Sequence, residues 1–167
     1  LNLSASEIEM FIRPFVGSRE LIAGVTRFCI WIDDEAQAFA STIPSIEQRI
    51  DRVRRFRLES KKAATVRAAE WAHRFDERKP ICVPVISSEN RPYLPAGLLP
   101  DGTVVSNKAF TLSGAEVWPL AIICSRINLV WVATVCARMR TDYSYTNTLG
   151  WNTFPLPTLT DKNKADL

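Results

Sequence analysis

The stretch from Pro44 to Pro80 constrains the fold most. Ile43, Ile46, Ile50, Val53 and Phe56 recur at three- and four-residue spacing, which predicts one long helical region with Ser60 as the place for a break. The same stretch holds 11 of the 21 basic residues and six acids, so it carries +5 within a net charge of +3. Its basic residues are Arg49, Arg52, Arg54, Arg55, Arg57, Lys61, Lys62, Arg67, Arg74, Arg78 and Lys79. Most charge runs are solvated helix faces. The density between Arg52 and Lys62, with Glu59 the single acid there, is what suits a phosphate backbone.

The remaining chain reads as short elements. Ser4 caps a helix through Ile8 to Ile12, with Glu7 as capping-box partner, and Pro14 ends it. A brief turn restarts at Gly17 and breaks at Gly24. Thr26 to Ile32 predicts a first strand, and Asp33 to Ser41 a short helix. Residues 81–86, 91–98, 103–106 and 109–112 predict further short strands, separated by turns such as Asp101-Gly102. Gly114-Ala115-Glu116 leads into an apolar block, Val117 to Arg138, with a break near Ser125. Arg126 and Asn128 interrupt that block and leave uncharged runs of 9 and 11 residues, too short for a membrane span, so it reads as a buried C-terminal helix. The order predicts an α+β fold with a mixed or mostly antiparallel sheet. With 167 residues, 47% hydrophobic residues and only 6 glycines, residues 1–157 are expected as a single domain and 158–167 as a flexible tail. The start at Leu1, without a signal-peptide pattern, reads as a piece excised from a larger protein.

Several chemistries have no foothold. Cys29, Cys82, Cys124 and Cys136 are 53, 42 and 12 residues apart and sit among apolar neighbours, the pattern of buried, reduced thiols in a cytoplasmic protein. His73 is the only histidine, so neither clustered zinc ligands nor a histidine-assisted nucleophile is in view, and no metal is expected. No glycine-rich phosphate loop occurs, and no cofactor is expected in this chain.

Three segments carry polar chemistry. Arg54, Arg57, Ser60, Lys61 and Lys62 suit phosphate oxygens. Ser88, Asn90 and Arg91 belong to a polar cluster, Ser87 to Arg91, that follows an apolar strand directly. Arg138, Arg140, Asp142, Tyr143 and Tyr145 form a third group suited to base edges or the groove, since Arg can read guanine and Asp can accept from cytosine. The plain alternative for this group is a solvated helix end with a tyrosine packed in the core. Together the three favour double-stranded DNA as partner over a small-molecule pocket, and the exposed-aromatic pattern of an RNA module is absent.

The chain resembles the target recognition domain of MmeI-like (type IIL) restriction–modification enzymes and related adenine-specific DNA methyltransferases. The matching words are Arg13-Pro14-Phe15-Val16-Gly17-Ser18 with Glu20-Leu21-Ile22, and Arg27-Phe28-Cys29-Ile30-Trp31. They continue through Val53 to Arg57, Ser60-Lys61-Lys62 with Thr65, and Pro84 to Arg91 with Tyr93-Leu94-Pro95. Ser125-Arg126 with Trp131, Arg138, Asp142 to Thr146 and Trp151 to Pro157 complete an ordered set that spans nearly the whole chain. Ala137, Trp151, Thr153 and Leu156 depart from the family's usual Gly, Tyr, Asn and Trp.

The resemblance implies a division of labour. An adenine-N6 methyltransferase domain of the same parent chain binds S-adenosylmethionine and performs the chemistry, with a nuclease domain in complete members. This chain selects the DNA sequence and has no catalytic residues of its own; Asn152-Thr153-Phe154-Pro155 lacks the first proline of the methyltransferase motif. Two other readings stand beside it. One is a protein-interaction module docking to the rest of its parent without DNA. The other is a free-standing enzyme using Cys82 or Cys124.

Overall fold

The computed structural model describes residues 2–74, 81–112 and 116–167. In chain order the elements are α1 (Ala5–Phe11), β1 (Ile12–Val16), α2 (Ser18–Ala23), β2 (Phe28–Ile30), α3 (Gln37–Ala40), α4 (Pro44–Leu58) and α5 (Ala63–Arg67). Then follow β3 (Ile81–Pro84), β4 (Ile86–Ser87), β5 (Gly97–Leu98), β6 (Val104–Val105), β7 (Ala109–Leu112), α6 (Trp118–Ile123), α7 (Arg126–Val135), β8 (Ala137–Met139), β9 (Asp142–Ser144), α8 (Asn147–Gly150) and α9 (Asp161–Ala165). They form two compact units: Leu1–Arg13 with Phe28–Asp76, and Pro14–Arg27 with Glu77–Leu167. The α+β class and the mostly antiparallel pairing agree with the sequence reading.

In the first unit, α1 begins as its sequence dictates. The Ser4 hydroxyl accepts from the Glu7 amide at 3.3 Å, and the Glu7 carboxylate accepts from the Ser4 amide at 2.6 Å. The helix ends at Phe11, before Pro14, and Pro14 lies inside β1, where its fixed φ suits an extended strand. The core gathers Phe11, Ile32, Ala40, Ile43, Ile46, Ile50 and Ala72. Pro44 occupies the first turn of α4, Glu47 lies near its N-terminus, and Arg55 and Arg57 lie in its last turn, all in accord with the helix dipole. The apolar stripe is shorter than its periodicity suggests. Ile43, Ile46 and Ile50 are buried, whereas Phe56 is 75% exposed, because the last turns of α4 run past this core. The helix breaks where Ser60 suggests: its hydroxyl accepts from the Lys62 amide at 3.2 Å, and α5 starts at Ala63. The expected continuation of the helix over 75–80, with Arg78 and Lys79, lies outside the described residues.

Asp34 ties this unit together. Its carboxylate accepts from Arg74 Nε at 2.6 Å and from Arg74 Nη2, and meets His73 Nε2 at 2.9 Å. The Arg74 guanidinium first, then His73, pull the Asp34 carboxyl down to about 2 from its ordinary 3.8. A carboxyl lowered by folding stabilises the native state above its ordinary value and loses that contribution as pH falls through about 2. Asp34→Asn therefore flattens the loss of stability between about 3.8 and about 2. Tryptophan fluorescence in denaturant at stepped pH reads this; equal acid slopes for both proteins would show that the network adds nothing.

In the second unit, β3 pairs antiparallel with β5 and β7, and β9 lies between β4 and β8. β1 and β6 pair in parallel, with Phe15 opposite Val104. β3 is buried along its whole length. Ile81 and Val83 face one cluster, with Leu94, Ile123, Val132, Cys136 and Tyr145; Cys82 joins a second, with Val105 and Ala109. That two-residue alternation between two cores is why 81–83 reads as a continuous apolar run. The strand expected over 91–98 shrinks to Gly97–Leu98, since Pro92 and Pro95 have no amide to give a ladder. At α2, the Glu20 carboxylate accepts from the Gly17 amide at 3.0 Å and from Arg27 at 2.7 Å, and Gly24 ends the helix with φ 64.

The apolar block divides at Ser125, as the sequence suggests. The Ser125 hydroxyl accepts from the Asn128 amide at 3.2 Å and so starts α7. Its burial is one-sided: Val132 and Asn128 are buried, while Ile127 and Val130 are 70% and 64% exposed. The Gly114-Ala115 entry to the block lies outside the described residues. Residues 158–167 hold α9, capped by the Thr160 hydroxyl, which accepts from the Asn163 amide at 3.2 Å. Among the described residues no helix is long and apolar enough to cross a membrane.

Candidate nucleic-acid interface

The basic run of the first unit sorts itself by what each side chain already holds. Arg54 pairs with Asp51 one turn back at 2.6 Å. The Arg57 guanidinium donates to the carbonyls of Ala68 and Trp71 at 2.6 and 2.9 Å, so it ties α4 to the end of α5. Ser60 serves the break through its bond from Lys62. Lys61 and Lys62 are exposed and have no ion-pair partner among the described residues, and the same holds for Arg52 and Arg55 on α4. Arg52 and Arg55 stand three residues apart, on neighbouring positions of one helix face. That relation was visible in the sequence, but Arg54 and Arg57 carry the same charge and the same spacing, and only their partners distinguish the pairs.

In the second unit the other two polar segments meet. The block expected to stay helical to Arg138 turns at Cys136 (φ −88, ψ 158), and Ala137–Met139 and Asp142–Ser144 form a hairpin. β9 also pairs with β4, so Ser87, Tyr143 and Arg138 stand in one row across three strands. Ser88, Asn90 and Arg91 occupy the turn that leaves β4. There the Ser88 hydroxyl accepts from the Asn90 amide at 3.3 Å, and the Ser88 carbonyl accepts from the Arg91 amide at 3.2 Å. Arg138 Nη1 donates to the Thr141 carbonyl at 2.8 Å and to the Glu89 carboxylate at 3.3 Å, and its Cζ stands 4.8 Å from the Tyr143 ring centre. Arg140 and Thr141 make the two-residue connection, and Arg140 holds φ 59. Among the described residues it is the one non-glycine in that region, which costs an L-residue about 1–2 kcal/mol.

Arg138, Arg140 and Asn90 are exposed, and Ser88, Arg91, Asp142 and Tyr143 half-buried. Tyr145 differs from the rest of its group. It is 1% exposed, edge-on to Phe110 with ring centres 5.7 Å apart, and against Gly150. Burial, and then Cys136, push its phenol well above the usual range. The structure therefore gives Tyr145 a place in the core and no surface for a base. Glu89 is the partner that sequence reasoning passed over, because nothing local links it to Arg138, 49 residues away.

Other chemistry finds little here. Cys82 is fully buried, and burial alone pushes its thiol up to about 11, far from a reactive thiolate. Burial also raises Cys124, and Cys29 likewise. Among the described residues no three His, Cys, Asp or Glu side chains are grouped to hold a metal ion.

An exposed basic helix in one unit, and a polar hairpin face with a strained arginine at its tip in the other, define a recognition module of the α+β class. The chain belongs to the MmeI target recognition domain family, whose sequence profile matches residues 1–158. It is 34% identical over 166 residues to DNA methyltransferase A of Bacillus subtilis (strain 168), covering 96% of this chain and 19% of that protein. It also superposes on the type IIL restriction–modification enzyme MmeI, solved in complex with DNA, with TM-score 0.87 and 28% identity over 96% of this chain and 22% of that one. The chain thus spans about a fifth of the length of each relative.

Proposed function

We propose that this chain selects the DNA site at which a methyltransferase part of the same polypeptide acts. In that reading the parent is a cytoplasmic, S-adenosylmethionine-dependent adenine-N6 methyltransferase, and the methyl donor is held outside this domain. One observation carries the reading: two polar segments far apart in sequence are joined in one three-stranded sheet, with Arg138 and Arg140 at its exposed edge, in a family of target recognition domains. The hairpin face meets base edges in a groove, with Arg140 and Asp142 at its tip. Lys61 and Lys62, together with Arg52 and Arg55, meet phosphates. A methyltransferase must take its target base out of the stack, at a cost of a few kcal/mol, so a separate domain that grips the duplex has a physical purpose.

The two groups are distinguished by a salt titration. Lys61→Ala weakens binding of the parent protein to its own site and to random duplex alike, and lowers the slope of log K against log salt by about one. An unchanged slope removes Lys61 from the phosphate contacts. The exposed Ile127 and Val130 on α7 favour a docking role as well, against the methyltransferase part of the parent. Under that reading alone, duplex affinity is absent at low salt.

A further inference from the structure

We infer that Glu89 and Arg138 form a positioning clamp for the Met139–Asp142 turn, so that Arg138 acts through the turn it holds rather than on a base. The inference rests on the DNA reading above. The Arg138 guanidinium touches three groups, one backbone carbonyl and two side chains. It bonds the Thr141 carbonyl inside the turn, it pairs with Glu89 on the connection after β4, and it lies over Tyr143 on the neighbouring strand. A planar fork held on a ring and by two oxygens has lost most of its freedom before any ligand arrives.

The turn needs such a hold. Arg140 at φ 59 occupies a conformation that an L-residue leaves when its surroundings loosen. The hairpin is two short strands, three residues each, and β8 is exposed along its length. The ladder alone is thus a weak constraint on the tip. Electrostatics point the same way. Glu89 is 38% exposed on a face proposed for a polyanion, where a lone carboxylate repels. Paired with Arg138 it presents no net charge, so the pair adds geometry rather than attraction. Arg140 and Asp142 have no ion-pair partner among the described residues and remain available to a ligand.

The test uses the full parent protein, its own site and a scrambled duplex. Glu89→Ala and Arg138→Ala each lower the ratio of the two affinities by about tenfold. They relax the same base positions as Arg140→Ala, and the double variant is no worse than the worse single one. Glu89→Gln, which keeps an acceptor for Arg138, restores part of the ratio. Hydrogen exchange of the 137–144 amides quickens in both alanine variants. The clamp is wrong if Arg138→Ala relaxes a base position of its own while Glu89→Ala changes nothing. A wild-type protein with no preference between the duplexes overturns the DNA reading instead. In that case hydrogen exchange still decides the clamp, and unchanged 137–144 amides in both variants would refute it.

Discussion

Arg140→Gly gives a domain that is more stable and less selective. Glycine adopts φ 59 without the roughly 1–2 kcal/mol that an arginine carries there. Its greater freedom in the unfolded chain offsets about 0.5–1 kcal/mol, so a net gain of about 0.5–1 kcal/mol is expected. The same substitution removes the side chain at the hairpin tip. A good bidentate base contact discriminates by about 1–3 kcal/mol, so the ratio of affinities for cognate and scrambled duplex falls about 5- to 150-fold. Denaturant unfolding reads the first effect and competition binding the second. A variant that is stabilised yet equally selective would leave the strain without the function assigned to it.

Tyr145→Ala has the largest expected effect on stability, a loss of about 3–5 kcal/mol, because it empties the centre of the second unit's core. Gly150→Ala attacks the same contact from the other side. Its Cβ would stand 2.6 Å from Tyr145 Cε2 and 3.3 Å from Cys136 Sγ, and the ring is already set against Phe110. Overpacking of this kind costs about 1–3 kcal/mol. Tyr145→Phe changes stability by less than about 1 kcal/mol, since the hydroxyl is buried without a partner among the described residues. It also leaves the recognition sequence unchanged. A shift in that sequence on Tyr145→Phe would put the ring back among the groups that touch DNA.

What the chain announces in its own letters is local. Ser4 with Glu7, the break near Ser60 and the restart at Ser125 all depend on bonds within three residues, and each stands where the sequence suggests. The hairpin at 137–144 gave no such signal, because Arg140-Thr141 lacks the glycine or asparagine that marks a tight two-residue connection. Its apolar approach through Val135 and Cys136 read as more helix. Partners distant in sequence were equally hidden. Nothing in the letters shows that Arg57 binds the Ala68 carbonyl while Lys61 has no partner among the described residues, or that Glu89 meets Arg138. Tyr143 and Tyr145 are alike in sequence; two residues along, one lies under an arginine and the other in the core. The resemblance in ordered words identified the family from end to end, since it draws on the whole chain rather than on any one contact.

In the proposed reading this domain sets which DNA sequence is methylated, through the tip of its hairpin. The most direct measurement is a map of modified bases in methylation-free cells that express either the full parent protein or its Arg140→Ala variant. N6-methyladenine is expected in one short motif for the parent, and the same adenine in a motif relaxed at one or two positions for the variant. An identical motif from both proteins would contradict that reading.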